Sequence, residues 1–130
     1  MTAWRWSALV AFVSAGCATL RDELRYAEDA HARAHYDHAQ VWLAALEEDV
    51  PEMTPGQRAS YFYLRGMTAF RLGRRADALH YLALARETSG EPGQPGALRE
   101  DWRTSMERTL AELTPQDATH RPRQNAPERD

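Results

Sequence analysis

The sequence predicts an all-α fold, on three observations. Of 130 residues, 22 are Ala and few are β-branched, so helix formers outweigh strand formers. Apolar residues recur at helical spacing in five segments. Helix start and stop signals fall between those segments, at Thr54-Pro55-Gly56-Gln57, at Gly73 and in the Gly/Pro-rich run 89–96. Hydrophobic residues at 43% and charged residues at 27% suit a globular domain. A single Cys excludes an intrachain disulfide framework and a multi-Cys zinc site. A net charge of −3 argues against nucleic-acid binding through an overall positive field.

The first helix is expected over 18–34, with Leu20, Leu24, Ala27, His31 and Ala34 on one stripe. The second is expected over 37–49, carrying Ala39, Trp42, Leu43 and Leu46, with Pro51 and Pro55 breaking the chain after it. Thr54 reads as the N-cap of the third helix, Pro55 as its first residue and Gln57 as the partner that completes a capping box. Its stripe is Ala59, Phe62, Tyr63, Gly66, Ala69 and Phe70, and Gly73 ends it. The fourth spans about 75–88 with Ala78, Leu79, Leu82 and Ala85; the fifth spans 97–113 with Leu98, Trp102, Met106, Leu110 and Leu113. Residues 114–130 have almost no large apolar side chain and read as a disordered tail.

The N-terminus reads as an address. Arg5 supplies positive charge, Trp6 to Val13 is an apolar run, and Ser14-Ala15-Gly16 are small. Those are the three regions of a secretory signal peptide. The uncharged stretch from Trp6 to Leu20 is 15 residues, short of the ~20 that a spanning helix needs. Ser14-Ala15-Gly16-Cys17 resembles the lipobox of bacterial lipoproteins, departing from it at Ser14, where that family prefers Leu. The resemblance implies a signal peptide over 1–16, cleavage before Cys17 and acylation of the Cys17 thiol. Ala18, in place of Asp, implies the outer membrane, facing the periplasm. The alternative is that Cys17 is a small apolar residue in a helix.

Helices three and four give Phe62-x3-Gly66-x6-Gly73-x4-Ala78-x3-Leu82-x2-Ala85. Small residues at those positions let antiparallel helices approach closely. The spacing resembles the tetratricopeptide repeat. Ala27-x6-Ala34-x4-Ala39-x3-Leu43-x2-Leu46 repeats the gaps 39 residues earlier, with Ala in place of both Gly. The resemblance implies a stack of two antiparallel helix pairs over 17–113, capped by helix five. An unrelated five-helix bundle with Ala-rich seams is the alternative.

Stacked pairs present a concave face lined by their first helices, and in the tetratricopeptide family that face binds peptides. The resemblance places Glu28 and His31 there from helix one, Tyr63, Met67 and Phe70 from helix three, and Arg103 and Glu107 from helix five. Taken singly, Tyr63, Met67 and Phe70 each read more readily as core between helices. His31, His35 and His38 form a weak candidate metal group. Arg71, Arg74 and Arg75 cluster at a turn, and Asp77 and His80 read as an exposed helix face. No nucleophile elbow or phosphate-binding loop occurs, and no enzyme activity or cofactor is expected. The function expected is a lipid-anchored, non-catalytic module that binds a protein or peptide, as a scaffold or accessory subunit of an envelope assembly or secretion machine. A soluble, non-lipidated adaptor or chaperone and a metal-binding envelope protein are the alternatives. With two repeats and a cap, a second copy could add stability, so a homo-oligomer is open.

Overall fold

The structure, a computed structural model, describes residues 15–114, with side chains from Thr19 onward. Residues 1–14 of the expected 1–16 signal peptide and residues 115–130 of the expected tail lie outside it. Among the described residues all regular structure is helical: α1 (Ala15–Ala32), α2 (Tyr36–Ala45), a 3₁₀ helix (Glu47–Glu52), α3 (Pro55–Arg71), α4 (Arg75–Thr88) and α5 (Glu100–Leu113). α1 packs on α2 and α3, α2 also meets α3, and α5 lies against α4 and α3, with α3 against α4 the most extensive contact.

Four boundaries differ from expectation by more than one residue, the first being the start of α1 at Ala15 rather than 18. α1 stops at Ala32 because Ala34 turns out of the helix at φ 61°. α2 ends at Ala45, four residues early. Glu47, Glu48 and Asp49 follow it, and anionic side chains at a helix C-terminus oppose its dipole. The Leu46 N–H is shared between the Trp42 and Leu43 carbonyls at 3.2 Å each, which tightens the last turn into the 3₁₀ helix. Pro51 lies inside that helix, and the Arg58 guanidinium donates to the carbonyls of Val50, Pro51 and Met53 at 3.4 Å each. α5 begins at Glu100, not 97. Leu98 is instead buried as a non-helical residue, and Glu100 and Asp101 open the helix where acidic groups favour its dipole.

The start of α3 forms as expected. The Gln57 N–H donates to Thr54 Oγ1 at 3.2 Å, and the Thr54 N–H donates to Gln57 Oε1 at 3.0 Å. Leu24, Leu43, Leu46, Tyr61, Leu64, Leu82 and Met106 fill the core, with Ala27, Ala39, Ala59, Ala78 and Ala85 fully buried in its seams. Gly66 marks the tightest crossing: a Cβ there would lie 2.6 Å from Leu82 Cγ.

The α1–α2 and α3–α4 turns are conformational twins, 39 positions apart. Ala34 at φ 61° matches Gly73 at φ 77°. His35 at φ −86°, ψ 63° matches Arg74 at φ −88°, ψ 77°. The His35 N–H donates to the Ala30 carbonyl at 2.8 Å, as the Arg74 N–H does to the Ala69 carbonyl at 2.9 Å. Each turn thus returns the chain by one set of hydrogen bonds. A left-handed backbone costs a residue with a Cβ on the order of 1 kcal/mol. Ala34→Gly is therefore expected to stabilise the fold by up to ~1 kcal/mol, and Gly73→Ala to destabilise it by about as much. Urea denaturation of the two variants checks both signs.

Candidate functional site

The helices α1, α3 and α5 place most of the expected groove residues on neighbouring surfaces, but they spend them on one another. Tyr63 is buried and stacks on Trp102 at 4.5 Å between ring centroids. The Arg99 guanidinium sits 3.9 Å over the Trp102 ring and bonds Glu28 Oε1 at 2.9 Å. That pair joins residues 71 apart in sequence and spans α1 and the start of α5. Met67 is buried, and Phe70 is half-buried against the core. Arg103 is half-buried and bonds Glu100 at 3.3 Å, while its Nε is buried without a partner. Glu107 faces outward and meets Arg86 of α4 at 3.7 Å. Of the seven candidates, Tyr63 and Met67 are core residues. Loop 89–96 folds toward the start of α3, where Gly96 approaches Pro55 and Gly56.

His31 is half-buried, with Nδ1 3.1 Å from Thr68 Oγ1 and its ring edge-on to Tyr36. His35 and His38 are exposed, and their rings lie 5.8 Å apart. Among the described residues no three His, Cys, Asp or Glu side chains are grouped to hold a metal ion. Burial, with the Arg71 charge second, pushes the His31 pKa below its ordinary 6.5. The folded state therefore binds fewer protons than the unfolded chain as pH falls below 6.5. The His31 contribution is complete above that value and is lost as pH drops through the lowered folded pKa. Denaturation midpoints are expected to fall between pH 7.5 and 5.5, by less in His31→Gln than in the wild type.

An open recess of about 100 Å³ lies between α2 and α4, over α3. Gln40, Leu43 and Ala44 line one side, Arg74, Asp77 and Tyr81 the other, and Arg65, Thr68 and Ala69 the floor. Arg65 is held in place: it donates to the Tyr61 hydroxyl, to the Leu43 carbonyl at 3.4 Å and to Glu47 at 3.5 Å. Its guanidinium lies 4.7 Å from the Tyr81 ring centroid. Arg65 thereby adds a second donor, from the neighbouring hairpin, to a carbonyl in the last turn of α2. At the rim, Arg74 and Asp77 form no ion pair with each other. Sequence reasoning passed over Arg65 because a charged residue inside a helix reads as solvent-facing. Its one usable signal was its place one turn after Tyr61.

Among the described residues no helix is long and apolar enough to cross a membrane. No protein family matches the chain, and neither a curated protein nor a solved structure is similar to it.

Proposed function

We propose that the chain is a non-catalytic protein-interaction module of tetratricopeptide-like architecture, tethered to a bacterial envelope membrane through Cys17. The observation that carries the architecture is the pair of twin turns, 39 positions apart, joined to a Gly66–Leu82 crossing at the repeat's expected positions. The neighbour relations of α1, α3 and α5 fit the same reading, because first helices of successive pairs lie side by side. The tether rests on the charged start, apolar run and Ser14-Ala15-Gly16-Cys17 motif. A partner segment would meet Glu28, Arg99 and Trp102 on the α1–α3–α5 face. The exposed Arg99–Glu28 pair can be exchanged for partner contacts at small cost, since such pairs contribute at most about 1 kcal/mol.

Acyl labelling in a bacterial host, wild type beside Cys17→Ser, tests the tether. Label only in the wild type, with an intact mass of acylated 17–130, is the expected result. A second reading, a soluble adaptor of the same fold, is favoured by α1 itself. That helix already runs from Ala15, across the bond that processing would cut. Retained Met1 and no label in either protein would select it.

A further inference from the structure

The recess between α2 and α4 lies apart from the α1–α3–α5 face. At about 100° per residue, the floor residues Arg65, Thr68 and Ala69 sit on the side of α3 opposite Tyr63, Met67 and Phe70. The recess is a joint between the two hairpins. Gln40 and Leu43 enter it from the first, and Arg74, Asp77 and Tyr81 from the second.

Its polar groups divide into two sets. The Arg65 guanidinium is held by the Tyr61 hydroxyl, the Leu43 carbonyl and Glu47, and the Thr68 hydroxyl is engaged by His31. Gln40, Arg74 and Asp77 differ: among the described residues their side chains have no hydrogen-bond or ion-pair partner, although Gln40 is half-buried. An amide, a guanidinium and a carboxylate thus stand round a recess of about 100 Å³. One water needs ~10–15 Å³ of such space, so a small organic molecule fits. The signs select its class. A simple anion drawn to Arg74 would meet the Asp77 carboxylate, and a simple cation drawn to Asp77 would meet Arg74 and Arg65. A molecule carrying both charges on neighbouring atoms avoids both clashes. Its carboxylate accepts from the Arg74 guanidinium and the Gln40 amide, and its ammonium donates to Asp77. A short apolar side chain then rests on Leu43, Ala44 and Ala69. Few polar groups fixing orientation over an apolar lining is the usual make-up of a small-molecule site.

We propose that the α2–α4 recess binds a small zwitterion of the α-amino-acid class, held by Gln40, Arg74 and Asp77 across the joint between the hairpins. The site depends on neither the lipid nor the groove.

Titration of the isotope-labelled full chain with L-valine, followed by two-dimensional NMR in detergent micelles, tests it. The controls are 3-methylbutanoate and 2-methylpropylamine, each of which keeps one of the two charges of valine. The Gln40 side-chain amide and the Ala69 backbone amide should shift saturably at millimolar L-valine. Each control should bind at least about tenfold more weakly, since it forfeits one charge-assisted contact. Arg74→Gln and Asp77→Asn, at exposed positions, should each weaken L-valine binding at least about tenfold. Signals remote from the recess should stay in place in both variants, which shows that they are folded. A wild-type spectrum without saturable shifts at Gln40 and Ala69 would overturn the proposal. So would a singly charged control that binds as tightly as L-valine, or folded variants that bind it as the wild type does.

Discussion

Gly66→Ala is expected to lower stability by about 2 kcal/mol, although Ala is the better helix former. The propensity gain is ~1 kcal/mol. Against it, the new Cβ would sit 2.6 Å and 2.7 Å from Leu82 Cγ and Cδ2, and 2.9 Å from the Leu82 backbone nitrogen. The side chain could rotate away, but the nitrogen moves only with α4. Overpacking of this kind costs ~1–3 kcal/mol, and separating the main helix pair in the fold belongs at or above the top of that range. For a domain of this size the thermal midpoint should drop by roughly 8–16 °C. Leu82→Ala alone should cost ~2–5 kcal/mol through its cavity. The double variant should cost less than the sum by at least ~1 kcal/mol, since the added methyl enters the vacated space. Strict additivity would show that Gly66 does not set the helix separation.

Trp102→Ala is expected to cost ~2–4 kcal/mol, through the lost stack and packing together. It removes the Tyr63 stacking partner and the ring beneath Arg99, so the Arg99–Glu28 pair loses its support from below. The loss should be local: amide hydrogens of α5 should exchange faster while those of α3 keep their protection. Trp102→Phe keeps a ring against Tyr63 and should recover about half of the loss. Unchanged protection in α5 would mean that Met106, Leu110 and Leu113, all buried, hold the helix without the aromatic pair. Under the proposed function the same variant uncovers Tyr63, so crosslinking to a partner should change with it.

The hairpins were legible because their signals are local. Thr54 and Gln57 cap α3, Gly73 takes the left-handed turn, and the Ala seams fall at the expected gaps. Ala34 was legible only by analogy, since a residue with a Cβ at positive φ is imposed by the packing of α1 on α2 rather than by its own preference. The end of α2 was lost to Glu47, Glu48 and Asp49, whose unfavourable placement matters at a helix C-terminus but not inside a helix. The burial of the groove candidates was not legible. Spacing put Tyr63 and Met67 on the right helix, but which face the neighbouring helices cover depends on Trp102 and Arg99 arriving from α5. The recess was not legible at all: Gln40, Arg65, Arg74 and Asp77 come from three helices, and no periodicity joins them.

The early start of α1 bears on reach. The helix is continuous from Ala15 to Ala32, and Leu24 is its first fully packed core residue. Leu24 lies only seven positions after Cys17, about 10 Å of rigid rod. An acylated Cys17 would therefore leave the domain no leash. It would ride within roughly its own radius of the bilayer and turn with it, unable to sweep out a volume as a long flexible linker allows. Whatever it binds would have to come down to the membrane, and a Gly/Ser insertion after Cys17 would loosen that restriction without altering one contact of the fold.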